Sequence, residues 1–184
     1  RQRDADRHAA RQHARASALA ARQARMAPPT QGWRGWFDGS AHPNPGAIGI
    51  GALLCGPDGE RLEISRRAGY GSSSEAEYLA LTALLEAAVQ AGARDPLLHG
   101  DSQVVIDDVN LDDKAIAAGR GASGLAAHRA RVVELLAPLG AARVTWVPRH
   151  RNGDADALSQ RAIAEQRNAV VEQQQAVSGP PAAS

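Results

Sequence analysis

The sequence predicts an α/β domain in which a five-stranded mixed sheet, three antiparallel strands then two parallel ones, carries helices on both faces. Two patterns lead to that class. Residues 33–67 hold three short apolar or alternating runs separated by turn residues, as an antiparallel meander requires. From residue 73 onward, short apolar runs alternate with segments of helical period, the pattern of strands joined by crossover helices. A third observation sets the size: 184 residues with 43% hydrophobic content suit one domain of ordinary size with polar extensions.

The elements follow in order. Residues 33–38 read as a strand, and Gly39 to Gly46, with two prolines, as a loop. Residues 47–55 form an apolar second strand, Pro57-Asp58-Gly59 is a tight turn, and residues 60–67 alternate through Leu62 and Ile64 as a third strand. Ser73 to Ala91 places Leu81, Leu84, Leu85 and Ala88 at helical spacing, and Gly92 ends the helix. Leu97 to Gly100 is a short strand, followed by a helix from Ser102 to Asn110 and a polar connector over 112–121. Leu125 to Leu139 reads as a helix with Pro138 near its end, Val144 to Val147 as the fifth strand, and Asp154 to about Arg167 as the last helix. The expected division is a basic extension at 1–29, the domain at 30–167, and a disordered tail at 168–184, rich in Gln, Ala, Ser and Pro.

Composition restricts the setting. Only six aromatic residues are present, so Ala, Leu, Val and Ile must build the core. The single cysteine, Cys55, excludes an internal disulfide and reads as an inert thiol within an apolar run. No apolar stretch approaches the ~20 residues that span a bilayer, and the first residues lack a hydrophobic signal region, so the expectation is a cytoplasmic monomer without membrane partners. Residues 1–25 carry seven arginines against two aspartates, whereas the remainder carries 14 Lys and Arg against 18 Asp and Glu. Arg3, Arg7, Arg11 and Arg15 share one helical face, with no continuous apolar stripe opposite, and Pro28-Pro29 ends the arm. The arm is either an extension upstream of Met26, the only methionine, or a grip for phosphates.

Four acidic motifs carry the chemistry: Phe37-Asp38-Gly39-Ser40, Glu75-Ala76-Glu77-Tyr78, Asp101-Ser102-Gln103 and Ala155-Asp156-Ala157-Leu158. Each lies where a strand ends or a helix begins or runs, where a sheet protein can gather side chains into one cleft. Carboxylates brought together cannot all stay ionised without a cation, so a divalent metal site follows. Singly, each has a structural explanation. Ser74-x-x-Glu77 fits a capping box, Asp101 can cap the following helix, and Asp154 or Asp156 suits a first helical turn.

Taken in order with Asn44-Pro45-Gly46 and the Asn152-x-x-Ala155-Asp156 spacing, the motifs resemble type 1 ribonuclease H from about Trp33 to Ala164. The resemblance implies a ribonuclease H-like fold and a two-metal endonuclease. Such an enzyme cuts the RNA strand of an RNA–DNA hybrid, leaving 5′-phosphate and 3′-hydroxyl ends, with two Mg²⁺ ions or Mn²⁺ as a substitute. It assigns Asp38, Glu77, Asp101 and Asp156 as metal ligands and catalytic residues, preferring Glu77 to Glu75 and Asp156 to Asp154. It further implies substrate contacts at Asn44 and Gln103, and at Ser72, Ser73 and Ser74, which stand where the family carries Thr-Asn-Asn. The segment Val147 to Asn152 resembles the branch with an arginine in place of a histidine loop, with Arg149 as the candidate and His150 as the alternative. The family's basic protrusion is missing: between Asp101 and the fifth strand stand only Lys114, Arg120, Arg129 and Arg131, interleaved with acids. His42, His99 and His128 lack ligand spacing. Double-stranded RNA is a second candidate substrate. The competing functions are another nuclease of this fold, such as an exonuclease or junction resolvase, and a non-catalytic hybrid-binding module. An exonuclease calls for Asp-x-Glu where this chain has Asp38-Gly39-Ser40.

Overall fold

The structure, a computed structural model, describes residues 32–177. The expectations for residues 1–29, and for the end of the chain beyond Val177, lie outside the described residues. Strands β1 (Arg34–His42), β2 (Gly46–Cys55) and β3 (Arg61–Gly71) form the antiparallel meander. Helix α1 (Ser73–Gln90) leads to β4 (Leu97–Gly100), and α2 (Gln103–Val109), α3 (Asp113–Ala117) and α4 (Ala126–Leu136) precede β5 (Arg143–Trp146). Helix α5 (Gly153–Val177) follows. The sheet order is β3-β2-β1-β4-β5, with β4 parallel to both β1 and β5, so the mixed sheet stands as expected.

Several boundaries differ from expectation, each for a local reason. Strand β1 runs on to His42 because Gly39 to His42 stay paired with β2, which confines the loop to Pro43–Asn44–Pro45. The connector contains α3, whose first turn is capped by the Asp112 carboxylate accepting Ala115 N–H at 2.7 Å. The helix read to Leu139 leaves α geometry at Leu136 and finishes as one 3-10 turn around Pro138. The capping box belongs to Ser72 and Glu75 instead of Ser74 and Glu77: Ser72 Oγ accepts Glu75 N–H while Glu75 Oε2 accepts Ser72 N–H at 2.7 Å. The expected disordered tail is corrected over its first part, since α5 continues to Val177. Its sequence there is Gln, Ala, Val and Glu, which favour helix, and no Gly or Pro intervenes before Gly179.

Helices α1 and α5 cover opposite faces of the sheet, and glycines set how closely they approach. A Cβ on Gly39 would stand 2.1 Å from the Ala76 carbonyl carbon in α1. On the other face, Cβ atoms on Gly49 and Gly51 would stand 2.5 and 2.2 Å from the Ser159 and Ala155 oxygens of α5. Both helices therefore lie against bare backbone beside β1, which draws their acidic side chains toward one strand. The core joins Phe37, Ile48, Ile50 and Leu54 of the sheet to Tyr78, Leu81, Leu84 and Leu85 of α1, with Leu98, Val105 and Val132 completing it. Gly92, at φ +67°, closes α1 by donating to Val89 O while Ala93 N–H donates to Ala88 O.

Candidate active site

Asp38 sits in the middle of β1, on the face met by α5. The period of two sends Phe37 into the core under α1 and leaves Asp38 at the rim. Glu77 projects from the second turn of α1, and Asp101 stands just past the end of β4, the strand parallel to β1. Carboxylate oxygens of these three residues lie within 4.8 Å of one another. Asp38 is 5% and Glu77 8% exposed, so two of the three are effectively removed from water.

Burial dominates the electrostatics. The Asp38 carboxyl is pushed up to about 6, first by burial and then by Asp101 and Asp156, while the Ser159 hydrogen bond and Arg149 pull the other way. Glu77 is pushed well above the usual carboxylate range by burial and by Asp38 and Asp101, against the Gly39 N–H and Arg149. Glu77 Oε2 is buried without a hydrogen-bond partner. A buried carboxylate oxygen with no donor, facing two other carboxylates, fits a divalent cation held by hard oxygen ligands.

Helix α5 completes the site. Asp156, in its first turn, has its Oδ1 2.7 Å from Arg149 Nη2, and Arg149 itself is largely exposed. The turn before α5 inserts Asn152, 1% exposed, whose Nδ2 donates to Phe37 O at 2.9 Å and reaches Asp101 Oδ1 at 3.4 Å. Ser159 Oγ donates to Asp38 Oδ2 and lies 3.0 Å from Asp156 O and 3.4 Å from Ser40 Oγ. Asn152 and Ser159 were absent from the sequence-based site. The signal for Ser159 was its i+3 position from Asp156, on the same helical face.

The groove over these groups has a volume of about 370 Å³, and Asp38, Glu77, Asp101 and Arg149 line it with Ser73, Ser74, Ser102 and Gln160. His150 instead faces a separate cleft behind the 149–151 turn. Ser72 caps α1, and Asn44 Oδ1 accepts Ser73 N–H at 3.0 Å, which ties the β1–β2 loop to the helix start. Gln103 is exposed and donates to Asp107 Oδ1 at 2.7 Å, away from the residues that line the groove. Of the cations between Asp101 and β5, Arg129 is buried against Asp108 and Arg131 pairs with Glu86 and Glu134.

The chain resembles known proteins over the same span. The family described as "Reverse transcriptase-like" matches residues 36–162. A ribonuclease HI of Halobacterium salinarum is 36% identical over 135 residues, covering 70% of this chain and 62% of that protein, so the chain spans under two thirds of that relative's length. The crystal structure of RNase H1 from the same archaeon is 34% identical, with a TM-score of 0.62, covering 72% of this chain and 98% of that one. The N-terminal RNase H domain of a Mycobacterium tuberculosis protein is 29% identical, with a TM-score of 0.60, over 71% of this chain and 97% of that one. With the four acidic motifs gathered as described on the same fold, the chain belongs to the ribonuclease HI family.

Proposed function

We propose that this chain is a divalent-metal-dependent endoribonuclease that hydrolyses the RNA strand of RNA–DNA hybrids and leaves 5′-phosphate and 3′-hydroxyl ends. The observation that carries the reading is the triad of Asp38, Glu77 and Asp101, with an unpartnered Glu77 oxygen buried at its centre. A structural relative of the same fold, LC11-RNase H1, has been crystallised with an RNA/DNA hybrid. Asp38, Glu77 and Asp101 would hold one Mg²⁺, and Asp38 with Asp156 would hold a second, Mn²⁺ being an alternative for either. Divalent ions there supply Lewis acidity, which acidifies water and neutralises charge gathering on a phosphate.

The protein's own groups do the rest. Asn152 holds Asp101 by Oδ1 and the β1 backbone by Phe37 O, so Asp38 and Asp101 keep their spacing. Arg149 stays protonated at any working pH, so it offers positive charge to a phosphate and carries no proton. Its ion pair with Asp156 keeps it over the groove until substrate competes. Ser73 and Ser74 present hydroxyls at the groove wall, where a ribose 2′-OH would distinguish RNA from DNA. Asn44 and Ser72 shape that wall by fixing the β1–β2 loop and the start of α1.

The test is cleavage of a labelled RNA–DNA duplex in Mg²⁺ or Mn²⁺, with double-stranded RNA and single-stranded DNA as alternative substrates. Cleavage of hybrid and its loss on Asp38→Asn are the expected results. No cleavage by the parent with either metal would leave a binding module. Cleavage that survives Asp38→Asn would refute the site.

A further inference from the structure

The 149–151 turn separates two clefts. Arg149 faces the carboxylate groove, while His150 and Arg151 face a second cleft of about 360 Å³, a volume within the range of ligand sites. Helix α5 packs on β1, β2 and β3, with Ala155 and Ser159 against Gly51 and Gly49, and its first residues, Gly153 and Asp154, border the cleft. The earlier half of β1 on that face is left with Trp36, which is only partly buried, and with Leu53 beside it on β2.

Trp36 is held from behind. His99, its partner on β4, lies with its ring centroid 5.5 Å away at 35°, and His99 Nδ1 is 3.0 Å from Thr145 Oγ1. Cations stand around this floor. Arg61 lines the cleft from β3 and Arg151 from the turn, and Arg34 lies close enough to act on His99. Acids share the rim: Glu63 pairs with Arg61 at 2.8 Å, and Asp154 begins α5. Three arginines stand against those two acids, and Arg151 forms no ion pair among the described residues.

A fixed aromatic face ringed by guanidinium groups is the chemistry of a base-stacking platform with phosphate partners. We propose that this cleft binds an unpaired nucleic-acid strand, with one base on Trp36 and its flanking phosphates on Arg61 and Arg151. The strand would reach it from the carboxylate groove across the 149–151 turn, so hybrids with single-stranded tails would be held at two points. The link to the groove rests on the proposed hybrid-cutting activity; the cleft itself does not.

The experiment separates the two. Binding of a fluorescein-labelled 10-nucleotide RNA or DNA to the full chain is followed by anisotropy in EDTA, so that no cleavage is needed. Trp36→Leu should weaken binding at least about fivefold. The exposed pair Arg61→Gln with Arg151→Gln should lower the slope of log affinity against log salt by about 1.4, for two phosphate contacts on a single strand. A melting scan of each variant excludes unfolding as the cause. In parallel, a hybrid with a 10-nucleotide overhang should show a several-fold lower KM than a blunt one, an advantage that disappears in the arginine pair while blunt cleavage is retained. Oligonucleotide binding that is unaltered in all these variants, for instance because residues 1–25 carry it, would overturn the cleft. Absent cleavage with variant-sensitive oligonucleotide binding would overturn the hydrolase reading and leave the cleft standing.

Discussion

At the scale of the residue, Asp38 and Ser159 make linked predictions. The Asp38 carboxyl sits at about 6 in the fold against 3.8 when exposed, so folding favours its protonated form. Its contribution to stability is complete below about pH 4 and is lost as pH rises through about 6. Asp38→Asn should therefore raise the melting temperature of the metal-free protein at pH 7.5, by an amount equivalent to about 3 kcal/mol, and change little at pH 4. Mg²⁺ should stabilise the parent and have little effect on the variant; equal melting of the two proteins in EDTA at pH 7.5 would contradict the burial argument. Ser159→Ala removes the donor that favours ionised Asp38, and a hydrogen bond to a charged group is worth about 1.5–3 kcal/mol. The pH midpoint of Mn²⁺ binding, measured by calorimetry, should rise by about one unit, with affinity weakened several-fold at pH 6 and little altered at pH 8. An unmoved midpoint would make Ser159 a packing residue only.

At the scale of the element, the site depends on how helices meet strands. Gly51→Ala would drive a methyl into the Ala155 carbonyl of α5, displacing the turn that carries Asp156 and the residue, Ser159, that holds Asp38. We expect a loss of about 2–3 kcal/mol in urea denaturation together with weaker metal binding, whereas a neutral outcome would mean that α5 shifts freely. Helix α1 is fixed from its other side by a buried network: Tyr78, next to Glu77, donates its hydroxyl to Asp108 Oδ2, and Asp108 Oδ1 accepts from Arg129 at 2.8 Å and from Ala122 N–H at 2.6 Å. Burial alone would push Asp108 up, but the Tyr78 hydroxyl, Ala122 N–H and Arg129 together hold it below the usual range. Arg129→Met strands that carboxylate and should cost about 3 kcal/mol, read from the urea midpoint. The sequence pattern made the strands and α1 legible because apolar period alone decides them. It could not show this network, since Asp108 and Arg129 are 21 residues apart in polar stretches where buried and solvated charges look alike. The choice of Glu77 over Glu75 was legible only through resemblance; its physical reason is that Glu75 is occupied by the cap on Ser72. Likewise, the sequence favoured Arg149 over His150 only through resemblance, because the turn that directs them into different clefts is a tertiary feature.

At the scale of the whole molecule, charge would govern the grip on the proposed polyanionic substrate. The described body is acidic, and two of the four cations between Asp101 and β5 are consumed by Asp108, Glu86 and Glu134. Under the proposed function, Arg149 at the groove and the arginines around Trp36 would supply phosphate contacts beside the two clefts. Hybrid affinity from residues 32–177 alone should be modest and should decline steeply with salt. Residues 1–25, with seven arginines against two aspartates, hold the largest surplus of positive charge in the sequence. If those arginines grip phosphates, deleting residues 1–25 should weaken hybrid binding at low salt and flatten the slope of log affinity against log salt by about 0.9 for each phosphate the arm had neutralised. Turnover at saturating hybrid should stay the same, because the deletion leaves the four carboxylates in place. Affinity and slope that match the full chain would make the arm a bystander and assign all of the grip to the body. A lower turnover at saturation would instead show that the arm helps position the scissile strand as well as retain the duplex.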